Sequence, residues 1–402
     1  MSGSIVSSPE HQAGNAKQWN LRTRLSLGSL TLSVFALVFS EFLPAGLITP
    51  LASDLAISEG AAGQAVTATA IGGMFSALLT GLLIGNSERR MVLYVLCGMA
   101  LVSNAACAVA TSLPVLVVAR AAIGISIGGF WALSTAVVGR LVSAADIGRA
   151  MGGIMAGVSL ATISAPPVAT FVATHLGWRM AFALAALISL LALLAQIAAL
   201  PRLPSSQPVS LRALLEVGRR RFVYVGLVAV VGIAAGHFAG FTFLRLVLQD
   251  LGDLRTGPIA MALLAFGLCN FGGTLIGARF VDRHLATMLS GSAAIIGACA
   301  LCISAGPSTV WIIALVCLWG VAFGAAPIAL QTWMARGASD QLESVGSLFI
   351  STFQIAIALG AAAGGLIVDG YGIRAVMIFT GLLTLLGVLA PAFTRSTQAS
   401  LH

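Results

Sequence analysis

The sequence predicts an all-α membrane protein of twelve transmembrane helices arranged as two six-helix bundles, and three observations predict it. Of 402 residues, 58% are hydrophobic and 8% charged, with a mean hydropathy of +1.02. So few charges cannot cover a soluble globule of this size. The apolar residues also fall into successive runs of about 20, the length that crosses a hydrocarbon core. A long polar interruption from Pro201 to Arg221 then divides the runs six and six.

The runs lie at residues 25–49, 61–84, 91–110, 114–137, 150–172, 180–200, 222–247, 258–280, 287–305, 309–333, 345–367 and 374–394. With a cytoplasmic N-terminus, Arg179, Arg245, Arg255 and Arg374 fall on outer segments, Arg120 in the membrane, and the remaining sixteen of the 21 basic residues inside. That bias puts both termini in the cytoplasm. The expected division is a tail at 1–24, a first bundle at 25–200, a cytoplasmic linker at 201–221, a second bundle at 222–394 and a tail at 395–402. The first 23 residues lack a hydrophobic core with a cleavage site, so no cleaved signal peptide is expected. The net charge of +8 does not read as a nucleic-acid surface, because the basic residues sit in short clusters between apolar runs. The six cysteines all lie inside apolar runs without metal-ligand spacing, as small core residues.

The halves echo each other. Gly177-Trp178-Arg179 answers Gly372-Ile373-Arg374 at an offset of 195, and Leu83-Ile84-Gly85 leading to Glu88-Arg89 answers Leu275-Ile276-Gly277 leading to Asp282-Arg283 at 192 to 194. Two echoes in matching loops point to a duplicated six-span unit of the secondary-transporter kind, with the substrate site between the halves near the midplane.

Glu41 is the lone ionisable group between Leu25 and Thr49. An acid at membrane depth costs roughly 3 kcal/mol or more unless it is paired, protonated or facing water, which makes it a functional candidate. It lies about 10 Å below the outer surface, and Arg120 sits about six residues into the fourth run at nearly the same depth. Glu41 and Arg120 are therefore read as a proton-coupling pair. A second reading makes Arg120 a structural cation bonded to helix carbonyls, and the two are compatible; Glu41 could equally sit hydrated in the interface, with Pro44 and Gly46 ending its helix early. His237, mid-run and flanked by Gly236 and Gly240, is either a proton or substrate contact or an inter-helix hydrogen bond. Phe130, Trp131, Phe241 and Trp319, with Asn270, Gln331 and Gln354, could hold a flat ring by stacking and edge hydrogen bonds. The glycine pairs Gly72-Gly73, Gly128-Gly129, Gly272-Gly273 and Gly364-Gly365 permit close helix packing. A phosphate-binding loop is absent, so ATP drive is excluded and a proton gradient is the expected energy source, with no cofactor and no metal. Nor is there a cluster of polar residues of the kind an enzyme would need.

At these residues the chain resembles the major facilitator superfamily over essentially its whole length. Leu116-x-x-x-Arg120-x-x-x-Gly124 is similar to a fourth-helix motif whose Arg is associated with proton transfer, and Gly177-Trp178-Arg179-x-x-Phe182 to a signature before helix 6. Gly81 to Arg90 resembles the loop motif between helices 2 and 3, with Gly85 where the pattern has Asp. The resemblance implies a gating role for Glu88, Arg89 and Arg90, and for Asp282 and Arg283 in the second half. Ala165-Pro166-Pro167 is similar to the core of an antiporter motif. Glu41-Phe42-Leu43-Pro44 through Gln64, Arg120 through Ala132, and Phe238 through Thr242 with Arg245 resemble nucleoside-exporting members of the drug:proton antiporter branch, where an amide is expected at His237. The resemblance implies proton-coupled export, by alternating access, of small polar heterocycles such as the purine ribonucleosides inosine and guanosine, and adds Thr242 to the substrate set. Related exporters sharing the first stretch imply sugars or amphipathic drugs as the alternative. The implied setting is a bacterial inner membrane, the expected partners are substrate, protons and lipid, and the expected state is a monomer.

Overall fold

The computed structural model describes residues 19–83, 87–143, 146–203 and 211–389. Residues 1–18 and 390–402, holding most of the two expected tails, lie outside the described residues, as do 204–210 of the expected linker and Ile84, Gly85 and Asn86 of the loop motif. The described residues are helical, without strands. The chain runs α1 (Leu21–Leu55), α2 (Glu59–Leu83), α3 (Arg89–Ala108), α4 (Leu113–Leu141), α5 (Ile147–Leu176), α6 (Trp178–Ala199), the short α7 (Leu211–Gly218), α8 (Arg221–Phe241), α9 (Leu244–Leu246) leading into a π-turn (Val247–Leu251), α10 (Thr256–Ser304), α11 (Thr309–Gly337) and α12 (Leu342–Leu386).

Among the described residues, ten helices are long and apolar enough to cross a membrane. Two of them are twice the usual length. The 49 residues of α10 would extend about 74 Å as one rod, against a core of about 30 Å. Its backbone breaks at His284 (φ −131°, ψ 34°), and that of the 45-residue α12 at Gly372 (φ 78°, ψ 175°). Both breaks fall where the apolar runs are interrupted. Positive φ at Gly372 needs a residue without Cβ, and its echo Gly177 adopts φ 87°, ψ 155° between α5 and α6.

Most helices overrun their apolar runs by a few residues, because hydropathy marks only the lipid-facing depth of a helix that continues into the interface. The run at 222–247 is the exception, since α8 stops at Phe241. There the Thr242 hydroxyl donates to the Phe238 carbonyl at 2.6 Å, a back-bond that bends helices.

Close backbone approach sets the packing. A Cβ on Gly124 of α4 would overlap the Thr69 carbonyl of α2, and one on Gly72 the Ala121 carbonyl. About 200 residues on, Gly324 of α11 meets the Asn270 carbonyl of α10, and Gly273 the Val321 carbonyl. The same glycine contact thus recurs in both halves. Across the set, α12 packs on α2 and α10 on α5.

A polar ladder ties α1, α3 and α6 together. The Asn104 amide donates to Ser40 Oγ at 2.8 Å and to Ser189 Oγ at 3.2 Å, and the Gln196 amide donates to Ser33 Oγ at 2.7 Å. Each such bond inside a membrane is worth about 0.6 kcal/mol. Outside the spans, Arg220 grips Asp340 with both guanidinium nitrogens. Those bonds hold the Asp340 carboxyl below its ordinary range, so whatever stability the pair contributes is present at neutral pH and lost as pH falls through the carboxylate range.

Gly124→Ala and Gly324→Ala should each lower thermal stability in detergent by on the order of 2 kcal/mol, because main chain cannot yield to the added methyl as a flexible side chain can. Gly98→Ala, where the added carbon meets nothing within 4 Å, should leave the melting temperature within about 1 °C. Melting of the purified variants checks this, and equal melting of all three would dismiss the glycine contacts.

Candidate functional site

Pro44 and Pro50 both lie inside α1. A proline offers no N–H to the carbonyl four residues earlier, so the Ser40 and Gly46 carbonyls lose their helical partners. At membrane depth such groups must be satisfied by protein. Arg120, fully buried on α4, donates from Nη1 to the Ser40 carbonyl at 2.7 Å, from Nη2 to the Glu41 carbonyl at 3.2 Å and from Nε to the Ala65 carbonyl of α2 at 3.3 Å. Its guanidinium lies 5.9 Å from the Phe182 ring centroid of α6. The Gly46 carbonyl accepts from Thr170 Oγ1 of α5 at 3.3 Å and from Arg245 Nη1 of α9 at 3.4 Å. Glu41 and Arg120 are thus neighbours, but these Arg120 bonds end on main-chain oxygens rather than on the Glu41 carboxylate.

The Glu41 side chain lines a small cavity with Phe42 and Ala45 of α1, Val66 of α2, Phe238 and Phe241 of α8, Thr242, and Ile357 of α12. Its free volume is about 20 Å³, room for one water and far below the space a drug-sized molecule needs. Phe42 meets Phe241 edge-on at 5.6 Å and Phe238 at 6.3 Å, closing the gap between α1 and α8. From α12, buried Gln354 reaches the Glu41 carboxylate. Its amide also lies on Gly73 of α2, where a Cβ would overlap it.

His237 sits one turn before Phe241, fully buried. Its imidazole is stacked between Phe323 of α11 and Phe241. Trp319 donates from Nε1 to His237 Nδ1 at 3.0 Å.

The other expected residues are spread more widely. Phe130 and Trp131 form an edge-to-face pair at 6.0 Å on α4, Asn270 is half-buried on α10 and Gln331 is exposed on α11; none of the four lines the cavity. Of the gating set, Glu88 pairs with Arg90 two residues away at 3.2 Å, Asp282 pairs with Arg336 at 3.0 Å, the main-chain N–H of buried Arg89 donates to the Leu203 carbonyl at 2.9 Å, and Arg283 is exposed. The two ion pairs stay within one half of the chain each.

A further contact between the halves, beside that of Arg245 with the Gly46 carbonyl, involves an acid outside the expected set. Asp369 of α12 accepts from the Ser58 hydroxyl at 2.6 Å and from the Gly60 main-chain N–H at 2.9 Å. It thereby caps the exposed N–H groups of α2, where a negative charge also complements the helix dipole. A Cβ on Gly60 would overlap the Gly365 carbonyl, and Gly63 rests on the Phe243 ring. The ends of the helices are closed on this face, at residues 56–60 and 365–369. Asp369 was visible in the sequence as an acid two residues beyond an apolar run, but nothing local said what it would face. Ile357 carried no signal beyond being apolar, and Phe42, Val66 and Phe238 no local one, although Phe42 and Phe238 lie in stretches that carry the family resemblance.

A model of a known family, the Major Facilitator Superfamily, matches residues 30–349. The chain belongs to the major facilitator superfamily, a family of transporters. Within it, the purine ribonucleoside efflux pump NepI of Salmonella enteritidis PT4 is 33% identical over 365 residues, 90% of this chain and 92% of that pump. NepI of Shigella sonnei is 33% identical over 362 residues, 90% and 91% of the two chains. Among solved structures, a D-xylose-proton symporter superposes with a TM-score of 0.73 at 16% identity over 91% of this chain and 96% of its own. The xylose transporter XylE of E. coli, in a partially occluded inward open conformation, gives 0.72 at 14% identity over 93% and 99%. These two likenesses establish the fold, and membership of the family makes the chain a multi-pass membrane transporter of small molecules.

If Asp369 latches the halves of this transporter together, Asp369→Ala should open the face it closes. A Thr242→Cys probe, with the native cysteines replaced by serine, should then react with an impermeant maleimide about tenfold faster. Asp369→Glu should fall between. Equal labelling rates in all three proteins would remove the latch.

Proposed function

We propose that this chain is a proton-coupled exporter of purine ribonucleosides such as inosine and guanosine, working by alternating access in a bacterial inner membrane. The observation that carries the substrate is the 33% identity to NepI over 90% of the chain. What supports the coupling is a half-buried acid, Glu41, set in a cavity between the two halves with the fixed cation Arg120 behind it. An acid so placed exchanges its proton with whichever side the cavity opens to, and its charge state changes what the aromatic walls must solvate. Phe42, Phe238 and Phe241 offer ring faces to a flat base, and Gln354 and Thr242 offer edge hydrogen bonds. The closed cavity of about 20 Å³ corresponds to the substrate-free state, with the outer face sealed by Asp369. The breaks at His284 and Gly372 divide α10 and α12 into two spans each, for twelve spans in two bundles with both termini in the cytoplasm.

Uptake of radiolabelled inosine into inverted membrane vesicles, with and without an imposed proton gradient, tests the reading directly. Accumulation should depend on the gradient, and gradient-independent uptake would discard coupling. Glu41→Gln should cut gradient-driven accumulation at least about tenfold while preserving inosine counterflow, since the amide keeps the shape and removes the exchangeable proton. Unimpaired accumulation by that variant would eliminate Glu41 as the carrier. For topology, a reporter fused after Arg219 should be active in the cytoplasm and one fused after Gly252 outside. A cytoplasmic signal from Gly252 breaks the twelve-span arrangement.

A further inference from the structure

Inside the aromatic cluster, His237 has one nitrogen with a partner and one without. Nδ1 accepts the Trp319 indole N–H at 3.0 Å, while Nε2 is buried with no hydrogen-bond partner among the described residues. An indole nitrogen can only donate, so Nδ1 must be unprotonated and the neutral ring must carry its proton on Nε2. Rotating the ring by half a turn would place Cδ2 against the indole N–H and lose the bond. Stacking against Phe323 and Phe241, with Trp319 perpendicular at 5.6 Å, holds the plane as well. A second proton on the imidazole would set N–H against N–H and bury a charge away from water. Both tautomer and orientation are therefore fixed by neighbours, and the one free polar valence is an N–H donor. Phe238 and Phe241, which pack on this ring, also line the Glu41 cavity.

We propose that His237 is a fixed Nε2–H hydrogen-bond donor that selects for an acceptor atom on the edge of a flat heterocyclic substrate, and that it carries no proton in the transport cycle. The assignment rests on the transport reading above for its substrate class, but not for its tautomer. It separates the roles of two titratable groups near the cavity: half-buried Glu41 exchanges the proton, and buried His237 reads the substrate. An unsatisfied buried donor is costly when left empty and discriminates strongly against a ligand that cannot fill it. It therefore acts through specificity rather than through drive. Neither His237 nor Trp319 lines the cavity in its closed form, where Phe238 and Phe241 stand between; Trp319 is a positioning residue for that donor.

The experiment is nitrogen NMR of histidine-labelled protein in lipid, with the His237 signals assigned by their loss in H237Q. In the wild type, an unprotonated Nδ1 and a protonated Nε2 should persist over roughly pH 5 to pH 8, the range in which free imidazole changes charge. W319F should yield a mixture of tautomers. An imidazolium or an Nδ1–H signal in the wild type overturns the assignment. In vesicles, H237L should lower inosine export at least about tenfold, and H237Q, which retains an N–H donor, should recover most of that loss without moving the pH profile. Export by H237L at the wild-type rate, or a pH profile displaced in H237Q, overturns the role in transport. If wild-type vesicles move no inosine, the substrate proposed above fails, and the wild-type spectrum alone still decides the tautomer.

Discussion

Everything at the centre of this transporter depends on one cation replacing a hydrogen bond that the backbone cannot make. Pro44 leaves the Ser40 carbonyl without its helical donor, and Arg120 fills it at 2.7 Å while bonding the Glu41 and Ala65 carbonyls as well. A guanidinium suits this task because its donors lie in a rigid fork and it keeps its charge in any surroundings. The three bonds fasten α4 to α1 and α2 where the helices also approach through Gly72 and Gly124. Glu41 thereby acquires a nearby positive charge that does not lock its carboxylate in an ion pair. An acid that is neighboured but not clamped can turn toward Gln354 and the cavity.

Pro50 repeats the device with a different consequence. The Gly46 carbonyl it frees accepts from Arg245 in the second half and from Thr170 in the first, so a local defect in α1 becomes a contact between the two halves of the chain. Asp369 bonding to the start of α2 adds a second such contact on the same face. Hydrogen bonds from a side chain to main chain can form and break without either helix changing its internal structure. Such bonds supplement the packing of α12 on α2 and of α10 on α5. The ion pairs made by Glu88 and Asp282 stay within their own halves and hold loops in shape in this state.

The aromatic cluster on α8 and α11 works by a different principle. Phe241, Phe323 and Trp319 enclose His237 so completely that its hydrogen-bonding pattern is dictated by a residue that can only donate. Packing and polarity are coupled there: the rings fix the plane, and the indole fixes the tautomer. Phe42 reaches across from α1 to Phe238 and Phe241, so the wall of the cavity is continuous with the cluster.

The sequence by itself determined the helical class and the membrane setting, because apolar runs of membrane length admit no other way to satisfy their backbone. It also determined the echo between halves, seen again in the backbone of Gly177 and Gly372, and the charges Glu41 and Arg120 within apolar runs, because an ionisable group in an apolar run stands out one-dimensionally. Tertiary structure decided what those groups touch. Whether Arg120 would meet a carboxylate or carbonyls depended on which carbonyls Pro44 had freed and how the helices turned about their axes. Gln331 and Asn270 resemble Gln354 in the sequence, yet only Gln354 reaches Glu41, since helix rotation, invisible in a run without a polar face, separates them. Apolar Phe42, Phe238 and Ile357 line the cavity for the same reason, and Asp369 became a latch only once α12 was laid beside the start of α2. Composition reports depth and cost for each residue, whereas partnership between residues hundreds of positions apart is a property of the packing.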